Sequence, residues 1–197
     1  MKAIGLTGGI GMGKSACAEL LRRRNIPVID TDDLARRVVE PGQPALTKVQ
    51  SIFGPEIIGY DGKLRRDELA RRVFSDPSLR KRLEHVLHPC IRELWRAQIR
   101  AWQEEGHRLA VVVIPLLFET HADQELDATI CVACSAASQQ ARLLARGWDT
   151  PQIQQRIEAQ LPVEKKMAAA TFVIWTEGSL DVHAAQLDRI LSRLAQA

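Results

Sequence analysis

The sequence predicts an α/β fold, a doubly wound parallel sheet with a helical insertion domain and a lid, and three observations carry that reading. Short strand-like runs at residues 3–6, 25–30, 109–114, 128–132 and 172–175 alternate with amphipathic helical patterns. The run at 109–114 is continuous and Val-rich, as in a strand buried on both faces of a parallel sheet. A glycine-rich turn stands between the first run and the first helical pattern. A length of 197 residues with 46% apolar content suits one such core with an insertion.

Taken in order, the first element is an apolar strand, Ala3-Ile4-Gly5-Leu6, followed by Gly8-Gly9-Ile10-Gly11-Met12-Gly13-Lys14-Ser15 and a helical Ala16-Cys17-Ala18-Glu19-Leu20-Leu21. This is G-x-x-x-x-G-K-S in the strand-loop-helix setting that a phosphate-binding P-loop needs. Glycines bring several backbone N–H groups to one anion, and the N-terminus of the following helix adds its partial positive charge. The residues expected on the phosphates are Gly9, Gly11, Met12, Gly13, Lys14, Ser15 and Ala16, with Lys14 reaching the β/γ-phosphates and the Ser15 hydroxyl ligating Mg²⁺. The fold type is therefore that of a P-loop NTPase.

A second strand ends at Asp30, and Thr31 or Asp32 offers a cap for the helical Leu34-Ala35-Arg36-Arg37 that follows. Pro41-Gly42-Gln43-Pro44 breaks the chain, and from there to about residue 105 apolar residues recur at helical spacing with almost no strand signal. After the 109–114 strand come Pro115-Leu116-Leu117-Phe118-Glu119, the 128–132 strand, and a helix through Gln139 to Arg146. Residues 147–164 are polar and turn-rich; a last strand and a closing helix follow. The expected organisation is a nucleotide-binding core of residues 1–40, 106–146 and 165–197, a helical domain of residues 41–105, and a lid of residues 147–164.

The net charge is only +3, from 27 basic and 24 acidic residues, so no global field marks a nucleic-acid binder. No apolar run approaches the roughly 18 residues of a membrane span, and the chain leaves no stretch for a signal peptide, so a cytoplasmic protein is expected. Cys131 and Cys134 form C-x-x-C without a second Cys/His pair, and within a strand an odd spacing points their thiols to opposite faces. Structural cysteines are expected.

Ligands of such a sheet gather at the carboxyl ends of its strands. The P-loop, Asp30 with Asp32, Glu119, and Arg142 with Arg146 all fall there in sequence. Phosphoryl transfer asks for positioning, charge neutralisation and a group to orient the attacking hydroxyl. A carboxylate of the Asp30/Asp32 pair can take the hydroxyl proton, although helix capping is the competing role. Arg142 and Arg146, four apart on a helix, share a face, and the Gly147-Trp148-Asp149 break after them suits the start of a lid that closes them over phosphates.

These blocks together resemble the dephospho-CoA kinase family: Gly5-Leu6-Thr7-Gly8-Gly9-Ile10-Gly11-x-Gly13-Lys14-Ser15, Val28-Ile29-Asp30-x-Asp32-x-Leu34-Ala35-Arg36, His88-Pro89, Pro115-Leu116-Leu117-Phe118-Glu119 and Gln139-x-x-Arg142-Leu143-x-x-Arg146. The resemblance runs nearly end to end. It implies ATP-dependent phosphorylation of the ribose 3′-hydroxyl of dephospho-CoA, the last step of coenzyme A synthesis, by a monomer with no nucleic-acid or membrane partner. Asp32 is then the candidate base, with Lys14 and Arg142 as the other catalytic candidates. Arg142 and Arg146 attend the nucleotide, and His88, Leu116, Leu117, Phe118 and Glu119 lie towards the acceptor. Two departures stand out. Met12 occupies a P-loop position that is usually small and polar, and Thr176 replaces an Asn expected near the adenine. The competing enzyme reading is a P-loop kinase of a nucleoside monophosphate or small metabolite. A GTPase is disfavoured because no N-K-x-D motif occurs, and a regulatory module without catalysis because Lys14 and Asp32 are both present.

Overall fold

The apolar runs become strands β1 (Lys2–Gly8), β2 (Val28–Asp30), β3 (Leu109–Val113), β4 (Ala128–Ala133) and β5 (Phe172–Trp175) in a computed structural model. It describes residues 1–196, and the backbone alone of Phe74 and Ser75. The strands form one sheet in the order β2-β3-β1-β4-β5. β1 runs parallel to both neighbours, with Ile4 opposite Val111 and Ala128, and Leu6 opposite Val113 and Ile130. The chain leaves β1 towards β2 on one side, yet leaves β3 back across β1 to β4. Such a reversal opens a ligand crevice at the carboxyl ends of the strands, so the α/β doubly wound expectation holds.

Two nucleotide-unit helices cover one face. Cys17, Ala18, Leu20 and Leu21 of α1 (Lys14–Arg22) pack with Leu187, Ile190 and Leu194, which belong to the last helix, against Ile4, Leu6, Val111, Val113, Ile130 and Val132. Side chains alternate along a strand, so Cys131 and Ala133 point the other way. There Ala133 meets Met12, Cys134, Val163 and Met167. Because β4 stops at Ala133, the alternation does not extend to Cys134, which packs beside Ala133 instead of on the opposite face. All four cysteines are free, and burial pushes the Cys131 thiol up to about 11 and that of Cys17 to about 12. Those are structural thiols.

The chain divides into two units, Met1–Ile29 with Trp102–Ala197, and Asp30–Ala101. The second is helical: α2 (Thr31–Arg37), α3 (Pro44–Phe53), α4 (Arg66–Ser75) and most of α5 (Pro77–Glu104). Val38, Leu46, Val49, Phe53, Ile57 and Leu69 are its buried centre, with Leu83, Val86, Leu87 and Ile91 of α5 packed against them. Asp76 opens α5 by accepting from the N–H groups of Ser78 and Leu79 at 2.7 and 3.3 Å. Pro89 lies inside that helix without breaking it.

Two local expectations change. The helix after β4 is α6 (Ala136–Leu144), so Arg146 lies beyond its end, in a turn closed by Gly147 at φ 83°. The one-face relation of Arg142 and Arg146 therefore does not hold. Residues 147–164 are not mainly turn, because they contain α7 (Thr150–Glu158). Asp149 caps it through the Gln152 N–H at 2.8 Å, and Gln152 answers to the Asp149 N–H in a capping box. Trp148, just before it, stacks under the Arg156 guanidinium at 4.6 Å. The remaining helices are α8 (Val163–Ala169) and α9 (Leu180–Gln196).

Candidate active site

β1 delivers the P-loop directly, and two glycines there are required by geometry. Gly8 has φ 146°, and a Cβ on it would lie 2.2 Å from the Val132 carbonyl oxygen; Gly11 has φ 74°, and a Cβ there would meet Leu143 Cγ at 2.8 Å. The loop closes with the Met12 N–H donating to the Gly9 carbonyl at 3.2 Å, and α1 starts as the Cys17 N–H donates to the Gly13 carbonyl at 3.0 Å. Lys14 folds back on the loop, its Nζ donating to the carbonyls of Gly8 at 2.8 Å and Gly9 at 3.0 Å. Ser15 is exposed in the first turn of α1, which carries no acidic residue. The first turn thus puts no carboxylate at the positive end of this helix, which suits a phosphate, and the exposed Ser15 hydroxyl is the group there that would reach a phosphate-bound magnesium ion.

The surroundings hold this loop rigidly. Ile10 is gripped at both backbone groups: its N–H donates to Gln160 Oε1 at 3.1 Å, and its carbonyl accepts from Gln139 Nε2 at 2.7 Å. Met12 is a buried wedge between β4 and α8, so its departure from a small polar residue has a packing cause. Thr176, 1% exposed, accepts from Arg142 Nη1 at 3.0 Å and donates to the Met12 carbonyl at 2.9 Å. Its own carbonyl accepts from Arg142 Nη2. Thr176 therefore fastens the P-loop from behind, a role the sequence did not disclose, and Arg142 is the residue that locks it there. Arg146 is exposed in the following turn. Next to Thr176, the Glu177 carboxylate accepts from the Ser135 N–H and the Ser138 hydroxyl, both at 2.9 Å, and from Trp175 Nε1 at 3.1 Å. Those hydrogen bonds, led by Ser135, hold its carboxyl down to about 2.

Past β3 the chain turns through Leu116, Leu117, Phe118 and Glu119. Leu117 is fully buried and Leu116, Phe118 and Glu119 are half-buried. Leu117 lies against Gly5, where an added Cβ would stand 3.0 Å from Leu117 Cδ2. This packing places Leu117 in the core. Glu119 Oε1 accepts from the Leu161 N–H and from Lys166 Nζ, each at 2.8 Å, while Oε2 is buried with no hydrogen-bond partner among the described residues. Lys166, wholly buried, also donates to the Pro115 carbonyl at 2.7 Å. Sequence reasoning missed Lys166. The signal available was its place on an apolar stripe, three residues after Val163 and one before Met167, where a lysine must find a partner.

In the helical unit, Asp30 and not Thr31 or Asp32 is the cap: its Oδ1 accepts from the Asp32 N–H at 2.9 Å. Asp32 is left exposed in the first turn of α2, two residues beyond β2, with its carboxylate not used as the cap. His88 is half-buried on α5; burial holds its imidazole below the ordinary range, Glu84 opposes this and Arg92 adds to it. Among the described residues, no cluster of His, Cys, Asp and Glu is suited to hold a metal, and no helix is long and apolar enough to cross a membrane.

A P-loop on a five-stranded parallel sheet, with a glycine cradle and a lysine folded back on the loop, defines a protein of the P-loop NTPase class. Comparison with known proteins specifies which. The family model described as Dephospho-CoA kinase matches residues 2–181. The chain is 42% identical over 196 residues to the dephospho-CoA kinase of Bdellovibrio bacteriovorus, covering 100% of this chain and 98% of that one. It is similar in structure to TT1252 from Thermus thermophilus, with a TM-score of 0.85 at 38% identity over 98% and 97% of the two chains. It also shares the fold of the Campylobacter jejuni dephospho-CoA kinase, with a TM-score of 0.73 at 23% identity over 98% and 97%. The chain belongs to the dephospho-CoA kinase family, and it is an enzyme, a phosphotransferase of coenzyme A biosynthesis.

Proposed function

We propose that the chain transfers the γ-phosphoryl group of ATP to the ribose 3′-hydroxyl of dephospho-CoA, giving coenzyme A and ADP, as a cytoplasmic monomer. The observation that carries this reading is the P-loop of a chain matched by its family over residues 2–181. The amides of residues 11–16 and the Lys14 ammonium neutralise the β- and γ-phosphates. Mg²⁺, which Ser15 would hold, would supply further neutralisation of the phosphate charge. The 3′-oxygen attacks the γ-phosphorus, the bond from that phosphorus to the β,γ-bridging oxygen breaks, and the hydroxyl proton passes to the Asp32 carboxylate. Arg142 and Arg146 serve the nucleotide, Arg142 by locking the P-loop through Thr176. His88 of the helical unit is assigned to the acceptor, and so are Leu116, Leu117, Phe118 and Glu119 of the turn after β3.

Residues 147–164 act as the lid over this site. Trp148 and Arg156 stiffen it as one piece, which fits a rigid flap better than a loose loop. Limited proteolysis tests the arrangement. Cleavage within this segment is expected in the free protein, and protection when ATP, Mg²⁺ and dephospho-CoA are added together, with less protection once EDTA removes the metal. Equal cleavage in all three conditions would remove the lid and return Arg146 to a solvated surface residue.

A further inference from the structure

Lys166 is a fully buried cation that the phosphate chemistry does not use. Its two partners come from one turn, the Pro115 carbonyl at 2.7 Å and Glu119 Oε1 at 2.8 Å. Pro115 is shared with β1, because the Thr7 hydroxyl also donates to its carbonyl at 3.2 Å, one residue before the P-loop begins. Glu119 Oε1 is shared with the base of the lid segment through the Leu161 N–H at 2.8 Å. The residue before it, Gln160, accepts from the Ile10 N–H of the P-loop at 3.1 Å. One ion pair therefore ties the end of β1, the turn after β3 and the C-terminal base of the lid segment.

We propose that the Lys166–Glu119 pair is a positioning device for phosphoryl transfer, holding the C-terminal base of residues 147–164 and the turn carrying Glu119 at constant distance from the P-loop. Two features carry this reading. The C-terminal base of the segment is held by Gln160 and Leu161. The cation of the pair is wholly buried, and it holds its geometry through directed hydrogen bonds, whereas an apolar contact at the same place would permit sliding. Lys166 touches neither nucleotide nor acceptor in this account, so it is a positioning residue.

The inference rests on the proposed function and is tested on the full chain with Lys166→Met and Lys166→Gln. Both are assayed for kcat and for the KM of each substrate at a temperature where circular dichroism shows them folded. Gln is included because it keeps an N–H donor for Pro115 or Glu119 and tolerates burial if the Met variant leaves Glu119 too costly to fold. Misplacement of a reacting group by about 1 Å costs on the order of 10²-fold in rate, so kcat is expected to fall at least about tenfold in Lys166→Met and less in Lys166→Gln. The KM for ATP stays within about threefold, because the P-loop amides are untouched, and substrates no longer protect residues 147–164 from proteolysis. If only the Gln variant folds, a kcat loss with unchanged KM for ATP in that variant supports the proposal. A folded variant with kcat within about threefold of the parent overturns it, as does a parallel loss of kcat and ATP affinity, which is what general loosening of the core would give. A parent protein that phosphorylates no dephospho-CoA overturns the function and this inference together, while a competent parent matched by Lys166→Met overturns the inference alone.

Discussion

Asp32→Asn lowers turnover by roughly 10²- to 10⁴-fold, the contribution of a positioned general base, while leaving ATP affinity nearly unchanged. The substitution keeps shape and an acceptor oxygen but removes the charge that takes the hydroxyl proton. The structure separates this residue from its neighbour. Asp30 is committed to capping α2 through the Asp32 N–H at 2.9 Å, and Asn caps a helix as well as Asp does. Asp30→Asn is therefore expected to stay within a few-fold of the parent. Steady-state kinetics with an independent measurement of ATP binding decides the matter. Equal, mild losses in both variants, or a loss of ATP binding instead of turnover in Asp32→Asn, would make Asp32 a metal-side or structural residue.

Lys14→Ala removes the only lysine of the P-loop and is expected to cost on the order of 10²-fold or more in kcat, the usual effect of losing one preorganised charge contact to a transferring group. In this structure the Lys14 ammonium holds the Gly8 and Gly9 carbonyls, and those contacts mark where it must swing from when phosphate arrives. Lys166 is a wholly buried lysine of the same unit. It cannot substitute, because its Nζ is engaged with Glu119 and Pro115. Circular dichroism should be unchanged, since Gln139, Gln160 and Thr176 brace the loop independently of Lys14. Turnover within a few-fold of the parent would contradict any role for Lys14 in transfer.

The sequence made the fold legible where burial is complete. The continuous run at 109–114 could only be a central strand, and the glycine spacing of residues 8–13 left one local conformation open. What it did not disclose depends on contacts between distant segments. Thr176 reads as a departure from a family pattern until its hydroxyl is found 164 residues away on Met12. Gln139 and Gln160 look like ordinary polar helix residues, yet together they satisfy both backbone groups of Ile10. Lys166 is one of two adjacent lysines and differs only in which side of α8 meets the sheet. The end of α6 at Leu144 is a boundary error of a familiar kind, and it matters because it separates Arg146 from Arg142. α7 was legible in principle: Asp149-Thr150-Pro151-Gln152 is a capping-box sequence with proline in the first turn.

The central claim, transfer to one particular hydroxyl, is tested most directly by the product. The purified chain is incubated with ATP, Mg²⁺ and dephospho-CoA beside a panel of nucleoside monophosphates and small hydroxylated metabolites. ADP release and the position of the new phosphate are then read by phosphorus NMR. The account predicts ADP release with dephospho-CoA alone, in equal amount to a product that is phosphorylated on the 3′-oxygen and indistinguishable from coenzyme A. Phosphate on another oxygen, or transfer to a nucleoside monophosphate or metabolite with none to dephospho-CoA, would contradict it.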